Sequence, residues 1–468
     1  MVDVIVVGAG LSGLQAAADV HAAGYSVLVL EAMDRVGGKT LSVKPSSSSS
    51  SGDGVVDLGA AWINDTSQSR IFGMAKRFGL ELIEQRRVGL CLRQRRDGRV
   101  DAYCSGFGED SEDPGVLALY RMVTRLAESW LGPDAKALDS VTFKALVQAN
   151  CPGEAATDAA DLLTGALFGV GAGEISSLYV IEHVKSCTGL ENLLSDMQDG
   201  GQFLRVRQGA QTFATRLAEL LPAGAIKLSN PVKTITQSPN LCTVGTPTGA
   251  AFCSRKVILS VPTTAYNTIE FTPPLPHAKQ SLADKTILGY QAKMVLIFPT
   301  PWWREAGLSG AMESTKLEGP ISFTRDTCSE QDGHYSITCF MTGESGRRWS
   351  ILPAKERREE VLRQFNEVFS SSRSGSELAA NIPKPAEIVE KYWTSDGWIC
   401  GGPVPAMPPF LLDEDGGRAL CEPFGHVHFV GAEMADVWRG YMEGAVRSGG
   451  RGAEEVGDAG SSRRRKSE

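Results

Sequence analysis

The chain of 468 residues has no uninterrupted apolar run approaching about 18 residues, so no membrane-spanning helix is expected. It has no basic segment followed by a cleavable apolar stretch, and it starts directly on a candidate strand, Val2 to Val7. Secretion is therefore not expected, and the reading is a cytoplasmic protein without an integral membrane anchor. Its ten cysteines include no CxxC pair, which argues against zinc and thioredoxin-like chemistry. They are too sparse for a disulfide scaffold and read as reduced thiols. Positive charge is not in excess: the net charge is −8, which argues against nucleic acid as a partner. Histidine is scarce, with six residues; His426 and His428 share a strand face by spacing, but no metal site is expected from them. The C-terminal run Ser461 to Glu468 does not match the peroxisomal tripeptide and reads, with residues 457–468, as a solvated, disordered tail. No internal repeat is present.

Glycine, by contrast, is abundant at 51 residues, which favours tight turns and close backbone approaches. The first forty residues use it in an ordered way. Val2 to Val7 is a short, β-branched apolar run suited to a strand buried on both faces of a parallel sheet. A glycine-rich turn follows, then a helix over Leu14 to Ala23 stopped by Gly24. A second strand runs over Ser26 to Leu30. Further along, helices are expected over 115–130, 137–149, Ile175 to Thr188, part of Val206 to Ala225, Lys355 to Ser370 and Tyr441 to Val456. Strands are expected within Ala225 to Val261, over Lys293 to Pro299 and over Val427 to Gly431. The serine run Ser46 to Ser51 reads as a surface loop.

Gly8-x-Gly10-x-x-Gly13 lies between strand and helix, with Glu31 closing the next strand, and this spacing identifies a dinucleotide site. Gly8 permits the turn, Gly10 lets backbone approach a pyrophosphate, and Gly13 allows close helix–strand packing. Ala9 and Ser12 belong to the same turn, and Ala32 follows Glu31, whose carboxylate can accept from ribose hydroxyls. The helix N-terminus supplies free N–H groups and a positive dipole end. NAD(P) and FAD both remain open at this point. Arg35-Val-Gly-Gly38-Lys39-Thr40 then offers a second backbone approach flanked by cations.

That segment resembles the R-x-G-G-R-[ST] run of the flavin amine oxidase superfamily, with Lys39 in place of the second Arg. Asp57-Leu-Gly-Ala60-Ala61-Trp62 resembles its D-L-G-G run. Phe429-Val-Gly431-Ala-Glu433 and Trp438-Arg-Gly-Tyr441-Met442-Glu-Gly-Ala-Val446 are similar to the A-G-T-E and W-S-G-Y-M-E-G-A-V runs of monoamine oxidases. The chain is identified as a member of the flavin monoamine oxidase family, most like its soluble microbial and fungal branch. Fungal fumonisin-type amine oxidases are one subgroup the resemblance admits. It implies an α/β, two-domain fold: a Rossmann-like FAD-binding domain from residues 1–70, 203–268 and 393–456, and a substrate domain of mixed sheet and helices from 71–202 and 269–392. A homodimer is left open.

The resemblance also implies roles. Glu433 meets the ribityl hydroxyls, the Met442 N–H faces the flavin pyrimidine oxygen, and Val232 holds the adenine. Trp393 and Trp398 pack near the flavin ring. Lys293, on an otherwise apolar strand, holds a water against flavin N5; the alternative is an outward-facing Lys on an edge strand. Tyr441 forms one wall of an aromatic cage for the amine, and Leu194 and Gln202 belong to the substrate cavity. The family's flavin-bearing Cys and second cage Tyr align here with Gly402 and Pro403, and Cys400 is two residues out of register. The expectation is non-covalent FAD and a half-open cage suited to a longer aliphatic or amino-alcohol amine. The expected reaction converts a primary amine and O2 to aldehyde, ammonia and hydrogen peroxide. Polyamine or L-amino-acid oxidation is the alternative within the superfamily, and a flavin desaturase or protoporphyrinogen oxidase the more distant one.

Overall fold

The computed structural model describes residues 1–46, 54–103, 113–129, 134–316, 318–371, 381–412 and 416–464. The serine run after Ser46, Cys104 and residues 465–468 of the basic tail lie outside them.

Val2–Val7 forms the centre of the first sheet because both of its faces are apolar. Ile5 and Val7 enter one core, and Val4 and Val6 enter another on the opposite side. The strand pairs in parallel with Val27–Leu30 on one side and Ala251–Leu259 on the other. Ile226–Lys227 and Val427–Phe429 extend the parallel part. Cys242–Gly245 and Thr234–Gln237 turn it antiparallel, and Glu270–Thr272 closes the edge, just past residue 268. Helix Leu11–Ala22 begins directly at the glycine turn, three residues earlier than expected, and packs on Met442–Arg464. This last helix runs to Arg464, beyond both the Val456 end expected for it and the start of the tail read as disordered.

The second sheet is mixed, as expected. Its seven strands lie in the order Glu387–Tyr392, Gln291–Phe298, Tyr335–Thr342, Phe323–Asp326, Leu308–Ser314, Leu90–Gln94 and Val100–Tyr103. Only Leu308–Ser314 and Leu90–Gln94 run parallel. Alternation puts Met294, Leu296, Cys339 and Met341 on one face, where they pack with Trp302, Trp303 and helix Ala354–Ser370. On the other face one row of directly opposed residues crosses all seven strands: Lys391, Lys293, Phe340, Phe323, Glu313, Arg93 and Asp101.

Helices cover the space between the sheets. The single helix expected over 137–149 is two, Asp134–Asp139 and Phe143–Asn150, because Thr142 caps the second through its hydroxyl on the Ala145 N–H. Helix Glu154–Phe168, Ala-rich, lies in a stretch with no helix expected.

Candidate active site

A cavity of about 1140 Å³ runs from the glycine turn of the first sheet to the charged row of the second. At the first end, the glycines divide their work. A Cβ on Gly8 would come 3.0 Å from the Ser260 carbonyl oxygen, and Gly8 has a φ of +99°. A Cβ on Gly13 would overlap the Gly8 carbonyl oxygen, so Gly13 serves helix–strand packing and does not line the cavity. Gly10 has open space where its Cβ would be and forms cavity wall. Its lack of a side chain keeps room for a ligand rather than for the protein. Glu31 accepts from the Ala9 N–H at 2.5 Å and from the Met33 N–H at 2.9 Å, so its carboxylate stiffens the turn as well as facing the cavity. Burial pushes its pKa up, against the pull of those two N–H groups and of Arg35.

Arg35 departs from the expected contact role. It does not line the cavity. Its guanidinium donates to the carbonyls of Gly38 at 2.8 Å and Thr40 at 3.1 Å and braces the Gly37–Gly38 turn from behind. Lys39 is the cation that faces inward. Its Nζ donates to the Pro403 carbonyl at 2.9 Å and lies in the field of Glu433; burial lowers its pKa, and Glu433 opposes that. Glu433 accepts from the Thr263 N–H at 3.3 Å, and burial holds its pKa up. Met442 begins the last helix, so its N–H has no partner within that helix.

Lys293 is buried on an inner strand, which removes the edge-strand alternative. Its Nζ donates to the carbonyls of Asp57, at 3.1 Å, and Gly59, and lies 5.3 Å from the Trp62 ring and 5.1 Å from that of Phe340. Burial pushes its pKa down to about 8, opposed by Asp57. Tyr441 stands edge-on to Trp438, ring centroids 5.0 Å apart. Trp393 is buried and donates to the Leu58 carbonyl at 2.9 Å, whereas Trp398 is half exposed on the cavity wall. Ser12, Ala32, Thr40, Ala60, Ala61, Val232, Leu194, Gln202, Pro403 and Gly431 all line the same cavity. Ala9 is buried behind the turn and takes part through its backbone, its N–H donating to Glu31 and its carbonyl accepting from the Gly37 N–H at 2.8 Å.

Several wall residues carried no signal in the sequence. His183 is fully buried beside Tyr441, 6.1 Å between rings, with both ring nitrogens unpartnered among the described residues. Burial brings its pKa down to about 3. Asp196, Glu313 and Arg325 come from three separate segments. The alternation Phe323-x-Arg325 was the only available hint, and it does not say which face is wet.

The flavin containing amine oxidoreductase family model matches residues 11–457. The chain belongs to the flavin amine oxidase family. It is 30% identical to amine oxidase [flavin-containing] B of Sus scrofa over 97% of this chain and 86% of that protein, and 29% identical to the Homo sapiens form over the same shares. Among solved structures it resembles cyclohexylamine oxidase from Brevibacterium oxydans, at 29% identity, TM-score 0.87, and 98% and 99% of the two chains. It also resembles putrescine oxidase bound to putrescine, at 26% identity, TM-score 0.86, and 97% and 98% coverage. The protein is thus a flavin-containing amine oxidase with FAD as cofactor. The cavity fits that group: open space over Gly10, a helix-start N–H at Met442 with no partner within its helix and a buried carboxylate at Glu433 all line it.

Proposed function

We propose that the enzyme oxidises a primary amine at its α-carbon, releasing aldehyde and ammonia, with O2 as acceptor and hydrogen peroxide as product. When bound, FAD supplies the redox chemistry, accepting a hydride equivalent and passing electrons to oxygen. The observation that carries this reading is the position of Lys293, which joins the cofactor cavity to the charged row of the substrate sheet.

The residues named from the sequence take these roles. Gly8 and Gly10 admit the pyrophosphate, Gly13 lets the helix pack close behind them, and Glu31 takes the ribose hydroxyls. Arg35 acts through the Gly37–Gly38 turn, and Val232 holds the adenine edge. Glu433 receives the ribityl hydroxyls, and the Met442 N–H offers a donor to negative charge on the pyrimidine edge. Lys293 has three ammonium protons; two are used on the Asp57 and Gly59 carbonyls, and the third serves a water on the cavity side. Tyr441 presents one aromatic face to a neutral amine and excludes bulk water. Pro403, on the same cavity wall and aligned with the family's second cage Tyr, offers no aromatic ring, which favours an amine on a longer or hydroxylated aliphatic chain. The cofactor is held without a covalent bond, since Gly402 and Pro403 offer no nucleophile and the exposed Cys400 Sγ turns to the Gly397 carbonyl.

A peroxide-coupled screen over benzylamine, alkylamines, polyamines and long-chain amino alcohols tests the reaction. Peroxide and aldehyde in equal amounts from an alkylamine are expected. No peroxide from any amine would exclude the reading.

A further inference from the structure

Beyond Lys293 the cavity wall follows the register row outward. The Phe340 ring stacks on Phe323 at 4.3 Å, and the Arg325 guanidinium lies 5.8 Å from the Phe323 ring, two residues along the same strand and so on the same face. Arg325 is held by one hydrogen bond and one ion pair, the ion pair leaving its Nε without a hydrogen-bond partner among the described residues. Its Nε is ion-paired with Asp196 at 3.4 Å, and its Nη1 donates to the Thr324 carbonyl at 3.1 Å. Its Nη2 has no partner among the described residues, and the side chain is cavity wall. A guanidinium held in this way keeps one donor ready for a ligand at little cost in order.

Two carboxylates act on Arg325, Asp196 as its ion pair and Glu313 through its field. Glu313 is taken by Arg93. Asp196 lies in the field of Arg87 as well as that of Arg325. Arg86 and Arg87 line the same cavity without a carboxylate partner among the described residues. Glu191, on the wall but exposed, is the remaining acid. Arg86, Arg87 and Arg325 thus line the cavity beside Asp196, Glu191 and Glu313, the last already ion-paired with Arg93, and the wall between Arg325 and Lys293 is two aromatic rings.

We propose that Arg325 forms a carboxylate subsite at the far end of the substrate cavity, so that the preferred substrates are aliphatic amines with a carboxylate on the end opposite the amine. This rests on the amine-oxidase reading above and names its substrate class. The amine lies toward Tyr441 and Lys293, the chain runs along Phe340 and Phe323, and the carboxylate meets Arg325.

The test compares aminohexanoate and aminooctanoate with hexylamine, octylamine and the diamine of equal length. A charge-assisted hydrogen bond of this kind is worth about tenfold or more in kcat/KM for the amino acid over the plain amine, expressed mainly in KM. In Arg325→Met that ratio is expected to fall to about one. The double variant Arg325→Met/Asp196→Asn gives the same result without leaving the aspartate unpaired, and Arg325→Lys restores part of the preference. A plain amine or diamine preferred by the native enzyme would overturn the subsite, the diamine result transferring the selection to Asp196 and Glu313. A second readout needs no turnover. Octanoate, but not octanol, should raise the melting midpoint of the FAD-loaded enzyme, and the gain should vanish in the double variant. Equal effects of octanoate on both proteins would overturn the proposal whether or not any amine is oxidised. Absence of peroxide from every amine, with octanoate binding intact, would instead remove the amine-oxidase reading.

Discussion

At the scale of single residues, Lys293 combines the largest cost with the clearest role. An ammonium whose pKa falls from 10.5 to about 8 on burial opposes folding by about 3 kcal/mol wherever both states are protonated, that is below pH 8. The unfolded chain binds the extra proton between about pH 8 and 10.5, so this cost is relieved as pH rises through that window. Lys293→Met should therefore fold at least as stably as the native protein at pH 7, measured by chemical denaturation. In stopped-flow experiments the same variant should slow flavin reoxidation by oxygen far more than its reduction by amine. The native oxygen reaction should decline as pH rises past about 8, where the cation is lost, and the variant should show no such inflection. Equal slowing of both half-reactions would remove Lys293 from the oxygen step. The glycines separate in the same manner. Gly13→Ala drives a methyl into the Gly8 carbonyl and should cost about 3 kcal/mol of stability, whereas Gly10→Ala meets open space and should leave the fold intact while weakening FAD. Melting curves of the apoproteins and FAD titrations distinguish the two.

At the scale of elements, legibility followed the chemistry of the ends. The helix expected over 115–130 is present as Pro114–Glu128, where Asp113 accepts from the Gly115 and Val116 N–H groups and Pro114 occupies the first turn. The break between Asp139 and Phe143 was missed because apolar periodicity continues across it, and only the Thr142 cap ends one helix and starts the next. Thr142→Ala should lower stability by about 1 kcal/mol, with little change in turnover, as read by the melting midpoint and a peroxide assay. Helix Glu154–Phe168 was missed for the opposite reason. Its buried stripe at Ala156, Ala160, Leu163 and Leu167 has helical spacing, but half of it is alanine, whose small side chain gives a weak apolar signal. The Gln291–Phe298 strand was legible from its apolar run, but which of its residues faced the cavity was set by pairing with Tyr335–Thr342 and Glu387–Tyr392.

At the scale of the whole molecule, the cofactor site joins segments far apart in the chain. Gly10, Lys39, Val232, Glu433 and Met442 meet only when the first sheet and the last helix are in place. FAD should then stabilise the whole fold by mass action, by about 2.7 kcal/mol at a hundredfold excess over Kd. Acid precipitation should leave the protein colourless and the flavin in the supernatant; yellow protein would make Cys400 the attachment point. The amino-acid sequence by itself determined the dinucleotide turn and the family, and it named many residues that line the cavity, because these depend on local spacing and on backbone geometry that only glycine permits. Tertiary structure alone decided that Arg35 braces a turn while Lys39 faces inward, and that Lys293 is buried. It also brought Asp196 and Arg325 to one wall. The placing of Lys293 and Arg325 depends on strand register across seven strands, where a shift of one residue would turn every side chain to the opposite face.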